Sequence, residues 1–439
     1  MSQLQRFQGG AVLLPVVFAA LACVGGGCSS RSSDLADRIQ RAAKLEGAKA
    51  SSLPELAEAV QKIEDAGAGP TGLTTQPGPA DSNAAAAFNR ALSDADRLKL
   101  IPQLEELSTP QATGYTEEQV AAIDQLLKAK RPLVLSLEEA TSLSRCASGV
   151  RLDQGFFDRY AFLDDATMAV RLHMVQAAAA LAQGDGSLAI EQAGKASRWI
   201  QWLASERRLD GRLLAASLRN EWFGLLRAIT ATSVTVDQLQ LLFTELRMQL
   251  DRWPPDRDSL VGDRAVTMHA YEAVRLGLME RVLTTDERKR LEDAGMLEKV
   301  EAMDGASIDR DELLYLRTMQ RIIEASDQPY FERFELLVPV FDKLRLGQDT
   351  STAAPLATWL FLPGLPDALE QMARDRALTE GWALAVASAA EFDMPPYRVN
   401  PLTGGVYQAT RDPGGVTLRL NDPQTADPFV KTSGVISGR

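Results

Sequence analysis

Histidine and cysteine are scarce in this sequence, so the common ligands of metal ions are few. Its 439 residues include 2 histidines, His173 and His269, and 3 cysteines. A structural zinc site takes several such ligands, so a multi-ligand zinc site is close to excluded. The sequence also lacks a glycine-rich phosphate loop and a Gly-x-Ser-x-Gly nucleophile turn. We therefore expect no metal and no cofactor, and no motif names a reaction.

Basic residues are outnumbered by acidic ones, and aromatic residues are few. Lysine and arginine total 47 against 59 aspartates and glutamates, which gives a net charge of −12. Nucleic-acid binding depends on basic side chains that displace counterions from phosphates, so a nucleic-acid partner is not expected. Aromatic residues make up 6% of the chain. Together with frequent alanine, this low share favours close-packed helices over a β-sandwich.

The first 28 residues have the features of a targeting segment. Arg6 precedes an apolar run, Ala11–Val24, that is too short to span a membrane as a helix. Three glycines then lead to Cys28 and to serine, which resembles a bacterial lipoprotein signal whose cysteine is lipidated. Cys23 is an alternative lipidation site, and an ordinary cleaved secretory peptide also fits. Several acyl chains hold a protein stably to a membrane. We therefore expect an extracytoplasmic protein anchored at the outer membrane or the periplasmic face.

Composition divides the rest of the chain into five parts. Glycine, proline and threonine dominate one stretch, and this composition cannot form a packed core. Apolar residues at helical spacing fill the long stretch that follows. The predicted parts are a tether with short amphipathic helices (29–66), a linker (67–83), a helical body (84–393), a turn with a β-hairpin (394–420) and a flexible tail (421–439).

Two consecutive segments, Asp165–Gln183 and Leu188–Glu206, form the centre of the predicted body. In the first, apolar residues recur at the spacing of an α-helix and occupy two adjacent faces. In the second, a stripe of small residues lets a neighbouring helix approach closely. The turn between them, Gly184–Gly186, is similar to that of tetratricopeptide repeats. The pattern predicts a mainly α fold of antiparallel helix pairs in an irregular tetratricopeptide-like or bundle-like array.

Capping boxes of the form Ser/Thr-x-x-Glu/Gln predict where further helices begin. They are Thr116 with Gln119, Ser136 with Glu139, Thr235 with Gln238 and Thr284 with Glu287. The predicted helices are Glu117–Lys130, Leu137–Cys146, Leu213–Thr230, Val236–Arg252, Arg264–Leu278, Asp286–Asp293, Asp311–Ala325, Tyr330–Leu344 and Pro366–Glu391. Alternating runs at Val406–Thr410 and Val416–Leu420 predict a β-hairpin around Asp412–Gly415.

The segment before the hairpin carries a resemblance to a group of proteins. Residues 396–407 read Pro-Tyr-Arg-Val-Asn-Pro-Leu-Thr-Gly-Gly-Val-Tyr. This resembles the closing segment of uncharacterised planctomycete-type secreted or lipid-anchored helical proteins, and Gly262–Arg264 is a weaker similarity. Asn400 and Leu402 stand where an acid and an aromatic residue are more usual. The resemblance implies a helical body and an extracytoplasmic location, and it implies no reaction.

Aromatic and basic side chains near the two central segments are the main candidates for binding. Trp199 and Trp202 are i, i+3 neighbours, and a ring beside a guanidinium can stack on a sugar or a peptide. The predicted binding groove consists of Trp199, Trp202, Trp222, Arg198 and Arg219. Large rings between Ala-rich helices more often serve packing, so both interpretations stay open.

Acids and histidines give weaker candidates. Side chains of adjacent acids, such as Asp164 and Asp165, diverge by about 100° on a helix and cannot share a proton or a metal. The other such pairs are Glu138 with Glu139 and Glu105 with Glu106. His173, on an apolar face, is interpreted as a hydrogen-bonded core histidine. His269 with Glu272 is a His-x-x-Glu step, but a metal site needs further ligands from elsewhere. No catalytic residue is predicted.

These observations favour an interaction or scaffold module of the cell envelope. Helical stacks offer grooves for partners, and this sequence offers no reactive centre. A protein partner in the envelope is expected, besides the membrane that the N-terminal lipid reaches. The alternative is a hydrolase of envelope carbohydrate or peptide that uses carboxylates from distant helices. Two carboxylates about 5 to 10 Å apart across a deep cleft would favour that alternative.

Overall fold

The body of the chain is built almost entirely of helices. A computed structural model describes residues 53–110, 114–157, 160–232, 234–349 and 354–431. The predicted lipidation sites, Cys28 and Cys23, lie outside these residues, as does most of the predicted tether. The described residues are mainly helical, with a small antiparallel sheet near the C-terminus, which confirms the predicted fold class. Within those ranges, no helix combines the length and the apolar composition that a membrane crossing requires.

Many of the helices follow one another with short connections, and a longer connection spans residues 143–161. Their bounds are α1 Pro54–Asp65, α2 Pro70–Leu73, α3 Ala84–Ala91, α4 Asp94–Ser108, α5 Glu117–Ala129, α6 Arg131–Ser142, α7 Phe162–Ala182, α8 Gly186–Ala204, α9 Leu209–Thr230, α10 Val236–Asp251, α11 Asp256–Arg275, α12 Met279–Val282, α13 Thr285–Asp293, α14 Leu297–Glu301, α15 Gly305–Ala325, α16 Tyr330–Asp349 and α17 Leu365–Ala390. Short 3₁₀ turns at Ala80–Ser82 and Leu152–Phe157 and a π-helical segment at Ala357–Phe361 complete the helical structure of these ranges.

Local capping chemistry explains several of these boundaries. Thr116, Thr235 and Thr284 each accept the backbone N–H three residues on, and all three capping boxes form as predicted. The box predicted at Ser136 does not form, because α6 begins earlier, at Arg131. A proline in the first turn of α6 has its φ preset for a helix start, so Ser136 lies inside the helix.

The two central segments form the antiparallel pair α7 and α8. Gly184 takes a positive φ of 79°, which suits glycine, and the Asp185 side chain accepts from the Leu188 backbone N–H at 2.9 Å. Most of α7 is buried, as expected of a helix that is apolar on two adjacent faces. The stripe of small residues on α8, which includes Ala189, Ala193 and Ala196, is fully buried as well.

Two clusters of buried apolar residues make up the interior. The first core cluster joins α3 to α10 with the C-terminal half of α17 and the sheet. The second core cluster joins α1, the residues of α15 and α16, and the N-terminal half of α17. Helices α9, α11 and α17 contribute apolar side chains to both clusters. These three helices therefore hold the two halves of the interior together.

A three-stranded antiparallel sheet covers the C-terminal half of α17. The strands β1 Gln408–Asp412, β2 Gly415–Arg419 and β3 Phe429–Lys431 lie in the order β1-β2-β3. Asp412 pairs with Gly415 across the predicted hairpin turn. Val416, Leu418 and Val430 are buried against the body. The segment 421–439 was expected to be a flexible tail, but its described part, to 431, includes β3 because Val430 has apolar surface to cover.

Candidate functional site

The predicted Trp/Arg groove is not a surface feature. Trp199 and Trp222 are 0% and 1% exposed, so neither ring can stack on a ligand. The indole N–H of Trp199 donates to Thr141 Oγ1 at 2.8 Å, and that of Trp222 donates to the carbonyl of Ala193 at 2.9 Å. Buried rings whose N–H groups are paired are packing elements. The groove prediction is therefore wrong for these two residues.

The other three residues of the predicted groove make unrelated contacts. Trp202 is partly buried and lies edge-on to the neighbouring tryptophan, with 5.2 Å between ring centroids. Arg198 is exposed and donates to the carbonyl of Thr141 at 3.0 Å. Arg219 is fully buried and forms an ion pair with Asp375 of α17. The five residues are not brought together around one surface.

His173 lies at the centre of a buried hydrogen-bond chain. Its Nε2 contacts Thr141 Oγ1 at 2.9 Å, and its Nδ1 contacts Gln192 Oε1 at 2.8 Å. Because the Thr141 oxygen already accepts from Trp199, its own hydrogen is available for Nε2, and Nδ1–H donates to Gln192. The ring is therefore in its neutral form, with the proton on Nδ1. The prediction of a hydrogen-bonded core histidine is confirmed.

The hydrogen-bond chain through His173 ends at the carboxylate of Glu138 on α6. Gln192 Nε2 donates to Glu138 Oε1 at 3.1 Å, and Lys195 Nζ donates to Oε2 at 2.6 Å. Burial lowers the pKa of His173 to about 4, and the hydrogen bond to Gln192 and the charge of Glu138 oppose that shift. The imidazole is therefore neutral at pH 7 and enclosed. It joins α6, α7 and α8 and does not face a substrate.

Of the adjacent acid pairs, only the one at 164–165 has a buried member, Asp165, whereas both acids of the pair at 105–106 are exposed. Asp165 accepts from Arg97 Nε at 2.7 Å and from Asn89 Nδ2 at 2.6 Å. Glu105 accepts from Arg171 at 3.2 Å, at the surface. These carboxylates connect α4 and α3 to α7. Their contacts are those of structural ion pairs.

His269 and Glu272 have separate surroundings. The imidazole of His269 lies against the backbone of Gly155, where an added Cβ would overlap ring atom Nδ1. Glu272 accepts from Arg275 Nη1 at 2.6 Å. Among the residues that the structure describes, no group of three or more His, Cys, Asp or Glu side chains is arranged to hold a metal ion.

A row of acids on α15 is buried, and no sequence pattern marked it. Asp311 accepts from the hydroxyl of Tyr271 at 2.6 Å and from two backbone N–H groups at the start of the π-helical segment, each at 2.8 Å. Asp309 and Glu312 both accept from Arg275. Burial raises the pKa of Asp311 to about 6 and that of Glu312 to about 7. Their partners come from other elements, so the local sequence gives no signal of them.

A second polar cluster lies where the α8–α9 connection meets the 3₁₀ region. Ser148 Oγ donates to Glu206 Oε1 at 2.7 Å and lies 2.6 Å from the hydroxyl of Tyr160. The guanidinium of Arg208 stacks on the Tyr160 ring, 4.8 Å from its centroid. Burial raises the pKa of Glu206. Because the serine can accept from the phenol while it donates to the carboxylate, the three groups satisfy one another.

An open depression lies between α15 and α16, apart from these buried networks. It has a volume of about 400 Å³. Its lining residues are Arg321, Glu324, Ala325, Gln328, Leu336, Leu337, Pro339 and Val340. Leu336 is 56% exposed, so the apolar side of the depression faces solvent. The lining combines polar and apolar side chains, as surfaces that bind protein segments do.

Comparisons with protein-family models, with curated proteins and with solved structures found no match.

Proposed function

We propose that this protein is an extracytoplasmic, lipid-anchored interaction or scaffold module of the cell envelope. The anchor would be Cys28, or Cys23 in its place, at the outer membrane or the periplasmic face. The similarity of residues 396–407 to planctomycete-type secreted or lipid-anchored proteins supports the location. The partner would be a protein of the same envelope.

The depression between α15 and α16 is the observation that carries the interaction role. Leu336 is exposed beside Pro339 and Val340, on a helix that also packs into the second core cluster. Exposed apolar patches with polar edges mark surfaces for protein partners. His173 and the acids of α15 described above are held by hydrogen bonds and ion pairs within the fold, so these residues support a structural role over a catalytic one.

Photo-crosslinking in native envelopes tests the interaction role. A photoreactive residue at Leu336 should give a discrete adduct with an envelope protein, because that position borders the depression. The matched control is the same residue at Leu98, which is 52% exposed on α4. Leu336→Asp should abolish the adduct formed from a probe at Pro339. The same adducts from both positions, or none from Leu336, would exclude this surface.

Lipid incorporation in the native host tests the location separately. Substitution of Cys28 by serine should abolish labelling with a radioactive fatty acid, while Cys23→Ser should leave it unchanged. The reverse pattern would move the anchor to Cys23. An unlabelled wild-type protein would remove the anchor and leave the ordinary secretory peptide.

The alternative hydrolase gains little support from the same surface. A glycosidase-type mechanism needs two carboxylates about 5 to 10 Å apart across a cleft. The depression between α15 and α16 is lined by one acid, Glu324. Release of sugar or peptide fragments from purified envelope material by the protein, with loss in Glu324→Gln, would nevertheless reinstate this alternative.

A further inference from the structure

A row of alternating charges, all buried except the partly buried Asp256, lies where the two core clusters meet. Arg219 pairs with Asp375, and Arg333 Nη2 pairs with Asp256 Oδ2 at 2.7 Å. Arg212 stands between these pairs, with Nη1 3.9 Å from Asp375 and Nη2 3.7 Å from Asp256. We call these five residues the charged junction. They come from α9, α11, α16 and α17, which include the three helices that contribute to both core clusters.

Arg212 is the member of the charged junction whose hydrogen bonds are missing. Its side chain is 1% exposed, and its Nε, Nη1 and Nη2 atoms have no hydrogen-bond partner among the described residues. Each neighbouring aspartate already binds another arginine, and both lie beyond hydrogen-bonding distance of Arg212. Burial lowers the pKa of this guanidinium, against the charges of Asp256 and Asp375. A guanidinium nevertheless stays charged in proteins, so a buried cation has three donor atoms unused.

The same junction has more unpaired donors than unpaired acceptors. In the described part of the chain, Arg219 Nη2, Arg333 Nε and Gln249 Nε2 also lack a hydrogen-bond partner, and Asp375 Oδ1 is the unpaired acceptor of this group. Gln249 belongs to the group because its Oε1 accepts from Arg219 Nε at 2.9 Å. The three arginines exceed the two aspartates by one positive charge. An anion, which only accepts hydrogen bonds, matches this surplus in both charge and donor count.

The ring of Trp253 packs against the charged junction. Its ring centroid lies 4.7 Å from the guanidinium of Arg212 and 4.8 Å from that of Arg219. These arginines are seven residues apart on α9, about two helical turns, so the ring fits between them. Trp253 is partly exposed and begins the Trp-Pro-Pro connection between α10 and α11. Movement of this short connection would give a small ion access to Arg212.

We infer that the charged junction binds one small monovalent inorganic anion of the halide type, held by Arg212 and the unpaired nitrogens around it. The single surplus positive charge fits a monovalent ion. The near-complete burial of Arg212 admits an ion of one atom more readily than a phosphate or an organic acid. The bound ion completes the link between the helices of the two core clusters.

Thermal unfolding of the full chain in chloride and in gluconate tests the inference. At constant ionic strength, replacement of gluconate by chloride or bromide should raise Tm by several degrees and then saturate, because a ligand that binds the folded state alone stabilises it by mass action. Arg212→Gln should remove this response. The control, Arg310→Gln, changes an exposed arginine and should keep it. An equal, non-saturating response in both variants would overturn the site.

Crystals of the wild-type protein grown with bromide give a second result if Arg212→Gln does not fold. An anomalous-scattering peak beside Arg212 and Trp253 is expected. Peaks confined to the surface would mean adventitious ions only. A water molecule bound to Arg212 and Asp375, with no bromide peak there, would show that water satisfies the junction and would overturn the inference.

Discussion

At the scale of single residues, Thr141 determines more of the interior than its size indicates. It accepts from Trp199 and contacts His173, so Thr141→Val would leave two buried polar groups without a partner while it keeps the shape of the side chain. Each such group costs about 1–3 kcal/mol. For the two groups together, we expect the free energy of unfolding in urea denaturation to fall by about 2–6 kcal/mol. Thr244→Val, whose exposed hydroxyl bonds to its own helix, should change it by less than about 0.5 kcal/mol. Similar losses in both variants would contradict this role.

Asp263 on α11 gives a residue-scale prediction about pH. Burial, and then the charge of Asp210, raises its pKa from 3.8 to about 7. The folded state therefore holds this proton more tightly, and the stabilisation is complete below about pH 4 and lost as the pH rises through 7. Asparagine imitates the protonated form without titrating. Asp263→Asn should gain stability relative to the wild type as the pH rises from 4 to 8, by about 1–4 kcal/mol.

Denaturation of both proteins across that pH range measures this gain. Asp258→Asn changes an exposed carboxylate on the same helix, and it should give no gain of this size. A pH-independent difference between Asp263→Asn and the wild type would show that the carboxyl is not held in its protonated form.

At the scale of elements, one glycine sets how closely α11 approaches the α8–α9 connection. A Cβ added at Gly262 would overlap the carbonyl oxygen of Arg207, a backbone atom that cannot rotate away. Gly262→Ala should therefore separate α11 from that connection and lower the stability by about 3 kcal/mol or more. Gly305→Ala has open space around the added Cβ and should stay within about 1 kcal/mol of the wild type. Thermal unfolding of both variants makes the comparison, and equal Tm values would refute the close approach.

Elements with a local chemical signal were predictable, and those fixed by distant contacts were not. The hydroxyl of Thr116 or Thr235 meets a backbone N–H three residues on, so the sequence contains the whole interaction. Strand β3 is three residues long, too short for an alternating pattern, and exists because β2 offers it a partner. The burial of Trp199 and Trp222 likewise depends on helices that lie elsewhere in the chain. The presence of aromatic and basic residues in the sequence could not show whether they line a binding groove or lie in the core.

At the scale of the whole molecule, helix α17 should make the two core clusters unfold together. Leu369 lies in the second core cluster and Leu384 in the first, and both are buried on this one helix. Each leucine-to-alanine change should lower the stability by about 2–5 kcal/mol. It should also lower the midpoint of a single unfolding transition, which far-UV circular dichroism and tryptophan fluorescence report alike. The control is Leu241→Ala, because Leu241 is exposed on α10. If Leu369→Ala moved one transition and Leu384→Ala another, the shared helices would not couple the clusters. If both variants shift the same transition, then α9, α11 and α17 transmit the loss of stability from either cluster to the other.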